Sequence, residues 1–151
     1  MDRENFLDLL AQTTTFTKNP YHPLVWITGK PKIGKNVFIG GLTTINAKGA
    51  KVSIGDHCDI ASFVSINCAD SHKRCIGVQK NIDRNDIIIE HHVFIGTHAI
   101  IKAGAHIGHH SVIGAATVVD AGKKIPPYSL VVGNPMRVKI GYYKKIYPRI
   151  I

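Results

Sequence analysis

The stretch from residue 89 to residue 131, IEHHVFIGTHAIIKAGAHIGHHSVIGAATVVDAGKKIPPYSLV, carries a branched aliphatic residue at every sixth position. Neither the 3.6-residue period of a helix nor the simple alternation of a strand maintains this spacing. Earlier in the chain the same anchor occurs at Ile27, Ile33, Ile39 and Ile45 and, after a shift of three residues, at Ile54, Ile60 and Ile66. A fixed short repeat predicts a solenoid whose repeats bury their apolar faces against one another. The pattern is that of a hexapeptide parallel β-helix.

The repeats define the predicted organisation of the 151-residue chain as a single domain. The fifteen anchors, taken three per coil, give about five coils over residues 27–136, with residues 18 apart stacked at strand spacing. Residues 1–23 are predicted to cap the first coil, with a short helix over residues 5–13 that buries Phe6, Leu9 and Leu10. The three-residue insertion at residues 49–53 predicts a bulge or corner loop. The C-terminal tail covers residues 137–151, and its aromatic and basic part, residues 140–151, is predicted to pack on the last coil as a short strand or helix, or to contact a partner.

One long polar segment interrupts the repeats at residues 69–86, ADSHKRCIGVQKNIDRND. The anchor is lost there, and the register resumes only at residues 87–89. A polar excursion from a rigid repeat scaffold is where function usually resides. We therefore expect this excursion loop to carry part of the functional site.

The amino-acid composition indicates which partners and which cellular compartment to expect. The net charge of +9 favours an anionic ligand, but aromatic residues do not alternate with the basic ones outside the tail, so nucleic acid is not expected. Three cysteines are too few and too irregular for a disulfide framework. The acidic N-terminus does not have the features of a signal peptide, and no apolar run approaches the ~18 residues of a membrane span. A cytoplasmic protein without membrane insertion is predicted.

The repeats, the excursion loop and the ending VIGAATVVDAGKKIPPYSLVVGNPMRVK, residues 112–139, resemble the hexapeptide-repeat acyltransferases. The branch most similar to this chain contains the galactoside, maltose and xenobiotic acetyltransferases and those of polysaccharide synthesis. The resemblance implies an all-β, left-handed parallel β-helix, although ordinary parallel crossovers are right-handed. It also implies a homotrimer with active sites between neighbouring chains, acetyl-CoA as co-substrate and a small carbohydrate acceptor.

The resemblance implies catalytic and acceptor-binding roles in the excursion loop. His72 matches the family's general base, and imidazole suits proton removal from a sugar hydroxyl near neutral pH. Asn67 and Asp70 flank the start of the loop, and either can orient the imidazole or hold a sugar hydroxyl. Asp70 has the alternative role of capping the turn into the loop. Cys75 is not expected to be a nucleophile, because no local motif supports a covalent thioester.

A lane of small residues is the predicted donor site. Thr97, Ala115 and Gly133 are 18 residues apart and would leave backbone amides accessible along one corner of the coil, although small residues also suit tight corners. The resemblance places pantetheine beside Thr97 and Ala115. Arg137 matches an arginine that binds CoA phosphate. Lys123 and Lys124 are further candidates for phosphate, with a solvated face as their alternative role.

Two histidine pairs, His91–His92 and His109–His110, are also 18 residues apart and are predicted to stack on adjacent coils. The γ-class carbonic anhydrases share the fold and bind zinc through histidines, but Thr97 and Lys102 occupy the corresponding register here. We therefore expect no metal cofactor, and the stacked pairs are expected to face solvent or the trimer axis.

Three functions remain open at this point. The first is acetyl transfer from acetyl-CoA to a sugar hydroxyl in polysaccharide or cell-surface glycan biosynthesis. The alternative within the same class is N-acetylation of an amino-sugar nucleotide. A non-catalytic β-helix that assembles or binds anions is the alternative from a different class.

Overall fold

The computed structural model describes residues 1–146 and contains two helices and eighteen short strands. The helices are α1 (Arg3–Thr13) and α2 (His72–Cys75). Most strands form three parallel sheets, which we call sheets A, B and C. Sheet A comprises β1 (Trp26–Gly29), β4 (Thr44–Ala47), β7 (Ser65–Asn67), β12 (Ile100–Ile101) and β15 (Val118–Val119). Sheet B comprises β2 (Lys32–Ile33), β5 (Val52–Ile54), β10 (Ile87–Ile89), β13 (His106–Ile107) and β16 (Lys124–Ile125).

Sheet C and a small hairpin complete the strands. Sheet C comprises β3 (Phe38–Ile39), β6 (Asp59–Ile60), β11 (Phe94–Ile95), β14 (Val112–Ile113), β17 (Leu130–Val132) and the antiparallel β18 (Arg137–Lys139). The hairpin pairs β8 (Ala69–Asp70) with β9 (Asp83–Arg84). Because the chain visits sheets A, B and C in turn, each coil has three sides and three corners. The predicted all-β, hexapeptide-repeat solenoid is confirmed.

The register between coils follows the repeat. Ile95 pairs with Ile113, so neighbours in a sheet are 18 residues apart. Ile33 pairs with Ile54, a separation three residues longer than 18, because the three-residue insertion at residues 49–53 lies between them. Ile54 in turn pairs with Ile89, and the excursion loop accounts for this longer separation. The insertion and the loop therefore leave the stacking of the coils intact.

The anchors form the core. All fifteen are buried except Ile33, which is half-buried at the first coil. The positions four residues after the anchors carry the smaller buried side chains, such as Thr43, Cys58 and Ser111. Each buried isoleucine contributes about 1.5–3 kcal/mol relative to an exposed one, so the stacked aliphatic layers favour association of the coils.

The two ends of the chain differ in part from expectation. Helix α1 is present with Phe6 and Leu10 half-buried, but the prediction for Leu9 is wrong: Leu9 is 45% exposed, and the buried residue is Leu7. Arg3 donates a hydrogen bond to the carbonyl of Tyr21 and so joins α1 to the segment that precedes β1. In the tail, residues 140–146 form turns rather than the expected strand or helix, with the amide of Tyr143 donating to the Tyr128 carbonyl on the last coil. Residues 147–151 lie outside the described chain.

Neither α1 nor α2 has the length and apolar character needed to cross a membrane.

Candidate functional site

The excursion loop leaves the coil at the corner between sheets A and B and is docked against the insertion. The guanidinium of Arg84 donates to the carbonyl of Lys48, and Asp86 accepts a 2.8 Å hydrogen bond from the amide of Lys51. Gly49 has a φ of +79°, and a Cβ added there would lie 2.8 Å from Cδ of Arg84. The short insertion therefore holds the base of the loop, and glycine leaves room for the arginine that crosses it.

Asp70 and His72 form a hydrogen-bonded pair in the loop. Nδ1 of His72 lies 2.6 Å from Oδ1 of Asp70, and the backbone amide of His72 donates to the same oxygen at 3.1 Å. The hydrogen bond from the imidazole, together with that from the backbone, lowers the pKa of Asp70. Because a carboxylate only accepts, Nδ1 carries the proton and Nε2 of the neutral ring carries the lone pair. Asp70 thus bonds both to the imidazole and to the backbone of the turn, as two of its three predicted roles require; the third, holding a sugar hydroxyl, stays a prediction.

Asn67 lies at the end of β7, just before the loop. Its Oδ1 accepts from Nδ2 of Asn46 at 3.0 Å and from the amide of Ala69 at 3.1 Å. These bonds fix the orientation of the amide group. Within residues 1–146, Nδ2 of Asn67 has no hydrogen-bond partner, so it remains available as a donor to a ligand.

A cleft of about 590 Å³ lies between the loop and the outer face of sheet A. It is lined by Ser65, Asn67, Ala69, Asp70, Ser71, His72, Lys73, Asp83, Asn85, Ile100, Ile101, Lys102, Ala103, Val118 and Ala121. Lys73 is paired with Asp83 at 2.9 Å, whereas Lys102 has no ion-pair partner in the described chain. The predicted residues Asn67, Asp70 and His72 therefore share one cleft.

Sequence reasoning missed the floor of this cleft. Ser65, Ile100 and Val118 are paired in register on adjacent strands of sheet A, and they precede the inward-facing anchors by one residue. Lys102 follows the anchor Ile101 and so lies on the same outer side of the coil. The sequence signal that could have identified this floor is the set of outward-facing residues next to the anchors, in the repeats on either side of the loop.

The predicted lane lies at the corner between sheets C and A. The amide of Ala116 donates to the carbonyl of Thr97 at 2.9 Å, so the corners of successive coils are in contact. The backbone amides of Thr97 and Ala115 have no acceptor among the described residues, whereas the amide of Gly133 donates to Oγ1 of Thr117 at 3.1 Å. The lane thus offers two open amides. Ser62, which accepts from Oγ1 of Thr97 at 2.8 Å, extends it by one coil and was also missed.

The three predicted cations lie at separate places. Arg137 is exposed on β18 opposite Val132, close along the chain to Gly133. Lys123 is exposed at the corner between sheets A and B. Lys124 borders a small cavity on sheet B with Glu90 and His106. None of these cations lines the cleft of His72, nor do the residues of the lane. Within one chain, the lane and His72 occupy opposite edges of sheet A.

Comparison with known proteins agrees with this architecture. The family described as the hexapeptide repeat of succinyl-transferase matches residues 32–68 and 86–121, just under half of the chain. No curated protein sequence matches the chain significantly.

Several solved structures resemble the chain. AntD, an N-acyltransferase from Bacillus cereus in complex with dTDP and 3-hydroxybutyryl-CoA, is 25% identical over 82% of this chain and 69% of its own, with a TM-score of 0.69. Galactoside acetyltransferase in complex with coenzyme A is 28% identical over 87% of this chain and 66% of its own, with a TM-score of 0.70. A hexapeptide-repeat acetyltransferase from Vibrio cholerae complexed with acetyl-CoA is 25% identical over 90% of this chain and 83% of its own, with a TM-score of 0.54.

The repeat, the coil geometry and these similarities define a hexapeptide-repeat protein of the left-handed β-helix fold. Within that class the chain is an acyltransferase.

Proposed function

We propose that the chain transfers an acetyl group from acetyl-CoA to a hydroxyl group of a carbohydrate, with His72 as the general base. The observation that carries this proposal is the Asp70–His72 pair, which presents an acceptor nitrogen in a cleft large enough for a sugar. The coenzyme A and acetyl-CoA complexes of the similar acetyltransferases support the choice of donor.

The proposed reaction is a direct transfer. Nε2 of His72 removes the proton of the acceptor hydroxyl as its oxygen attacks the thioester carbonyl carbon. The tetrahedral intermediate collapses, the C–S bond breaks, and the coenzyme A thiolate takes the proton from the imidazolium. Asp70 holds the protonated Nδ1 throughout and stabilises the transient positive charge on the ring. The open Nδ2 of Asn67 is suited to hold an acceptor hydroxyl in place.

The donor is proposed to lie along the lane. The open amides of Thr97 and Ala115 can donate to the carbonyl oxygens of pantetheine, which are spaced along a linear chain. Arg137, near the end of the lane, is proposed to bind phosphate, and Lys123 and Lys124 remain further candidates. The bond from Gly133 to Thr117 makes this glycine a neighbour of the donor rather than a hydrogen-bond donor to it.

A homotrimer is proposed because one chain leaves the lane and the base at opposite edges of sheet A. A neighbouring chain can bring its lane against the cleft and so complete the site. Exposed apolar side chains support such a contact: Ile76 and Val78 at the tip of the loop are 70% and 69% exposed, and Ile100 on sheet A is 41% exposed. A cytoplasmic location remains part of this proposal.

N-acetylation of an amino-sugar nucleotide is the second candidate. The similarity to AntD, an N-acyltransferase bound to dTDP, favours it. An amine is nucleophilic once deprotonated by solvent and depends less on a protein base than a hydroxyl does. The non-catalytic alternative is not supported, because the chain is an acyltransferase by class.

The test is an acceptor screen with acetyl-CoA, in which hydroxy- and amino-sugars are offered free and nucleotide-linked and release of the coenzyme A thiol is followed. We expect turnover on a hydroxyl acceptor that is lost in His72→Ala and retained in Cys75→Ala, a change in the same exposed helix. Turnover confined to amino-sugars would favour the second candidate. No turnover on any sugar would overturn both.

A further inference from the structure

Four histidines at the corner between sheets B and C form a compact array of rings. We call His91, His92, His109 and His110 the histidine array. The rings of His91 and His109 stack with centroids 5.0 Å apart, and those of His92 and His110 stack at 4.8 Å. Within each pair of sequence neighbours, the two Nδ1 atoms are 2.9 Å apart. Two adjacent coils thus bring four imidazoles together.

The backbone of the solenoid dictates this arrangement. His92 and His110 both have a φ of +55°, and the amide of His110 donates to the carbonyl of His91 on the preceding coil. The ring of His57 stacks below His92 at 4.8 Å, and that of Tyr128 stacks above His110 at 5.1 Å. The stack therefore runs through four rings, those of His57, His92, His110 and Tyr128.

The array is separate from the transfer site. It follows sheet B and precedes sheet C, so it lies across the coil from sheet A. None of its members lines the cleft of His72. The acyl-transfer chemistry therefore leaves these four histidines without a role.

The positions of the ring nitrogens suit a metal ion. One ligand atom from each of His91, His92 and His110 lies within 4.8 Å of the other two. Ligands at the ~2.0–2.1 Å distance of zinc–imidazole bonds are roughly 3.3 Å apart in a tetrahedral site, so the nitrogens need to move by only about 1 Å. Nδ1 of His109 lies 2.9 Å from Nδ1 of His110, but His109 does not belong to this group of three. Imidazole ligands select late transition metals such as Zn²⁺ over Mg²⁺ and Ca²⁺.

We propose that the histidine array binds one divalent late transition-metal ion, of which Zn²⁺ is the representative, through His91, His92 and His110. The ion joins two successive coils and stabilises the folded chain. This site differs from the zinc register considered in the sequence, where Thr97 and Lys102 replace the ligands. It takes no part in acetyl transfer.

Calorimetric titration of the EDTA-treated, dialysed full-length protein with ZnCl₂ tests the proposal. We expect one ion per chain, and a rise of the unfolding temperature on adding zinc. His92→Asn and His110→Asn should each weaken zinc binding by about tenfold or more and abolish the rise. Asparagine is chosen because it tolerates a left-handed backbone.

His98→Asn is the matched control. His98 also has a positive φ (60°), is exposed and stacks on an aromatic ring, that of Phe63, but it lies at the corner between sheets C and A. Its zinc affinity should equal that of the wild type. If an asparagine variant does not fold, His91→Ala removes a ligand from a residue outside the positive-φ set.

Three outcomes would overturn the assignment. The first is the absence of saturable zinc binding to the wild type. The second is an unchanged zinc affinity in His92→Asn and His110→Asn together with a lower unfolding temperature. That result would mean that the rings stabilise the fold by stacking and do not bind the ion. The third is one ion per three chains, which would place the ion between chains.

Discussion

The carboxylate of Asp70 accepts two hydrogen bonds from His72, one from the ring at 2.6 Å and one from the backbone at 3.1 Å. The second bond fixes the backbone that carries the ring, so the direction of the imidazole is set from two sides. These two residues, separated by one position, are the pair to which we assign the roles of general base and its support. The pair lines the cleft in which we propose that the acceptor binds.

Removal of the base should mainly affect turnover. His72→Ala is expected to lower kcat on a hydroxyl acceptor by about 10²–10⁴-fold, because a positioned general base contributes that range. The affinity for coenzyme A should be nearly unchanged, because the proposed base acts on the acceptor and is not expected to contact the phosphates of the donor. Steady-state kinetics and calorimetry measure the two effects. A variant of wild-type oligomeric state with undiminished turnover would exclude His72 as the base.

Removing the charge of Asp70, which supports His72, should lower kcat less than His72→Ala does. As in that variant, turnover should be affected more than binding. In Asp70→Asn the side chain keeps its shape but loses the charge that stabilises the imidazolium and fixes the tautomer. We expect kcat to fall by about 10–100-fold with little change in the KM of the acceptor. Asp83→Asn is the matched control, because Asp83 pairs with Lys73 in the same hairpin and does not contact His72. Equal losses in the two variants would show that both act only on loop stability.

Arg137 should act on the phosphates of coenzyme A. Charge-assisted hydrogen bonds to phosphate contribute about 1.5–3 kcal/mol, so Arg137→Ala should weaken coenzyme A by about ten- to a hundredfold. Binding of a pantetheine fragment without phosphates should be unaffected. Lys35→Ala, at an exposed position between β2 and β3 that has no proposed role, provides the comparison for a general loss of positive charge. An equal loss for coenzyme A and pantetheine would remove Arg137 from the phosphate site.

The repeat made the fold predictable because the register is local. Each anchor depends on the residue 18 positions away, and pairs such as Ile95–Ile113 follow from counting. Contacts across the insertion could not be counted in this way: Arg84 reaches Lys48 over 36 residues. Likewise, spacing identified Gly133 as part of the lane, but the hydroxyl that occupies its amide comes from Thr117 on the preceding coil.

The glycine of the insertion should be needed for activity although it lies outside the cleft. Gly49→Ala would place a Cβ 2.8 Å from Cδ of Arg84 and so displace the arginine that docks the loop. We expect faster proteolysis of the excursion loop and a lower kcat. Gly77→Ala is the matched control, since Gly77 has the same backbone strain (φ +78°) but no atom within 4 Å of an added Cβ. If both variants lose the same activity, backbone strain rather than the contact with Arg84 is the cause.

Acid should loosen the excursion loop before it unfolds the coils. The pKa of Asp70 is lowered from 3.8 mainly by the hydrogen bond from His72, and that of Asp83 is lowered from the same value by Gln79 and Lys73. A carboxylate whose pKa is lower in the folded state binds its proton more readily when the loop is open. The stabilisation is therefore complete above about pH 4 and is lost as the pH falls through the folded-state pKa values. The aliphatic core contains no such groups and should persist.

Hydrogen exchange measured by mass spectrometry between pH 6 and pH 3, corrected for the intrinsic rate, can follow this opening. Peptides covering residues 69–86 should lose protection below pH 4, whereas those covering β11 to β15 should retain it. In a double variant, Asp70→Asn with Asp83→Asn, the loop should be open at both pH values and show no pH dependence. Simultaneous loss of protection in the loop and the coils of the wild type would contradict the assignment of acid sensitivity to these two carboxylates.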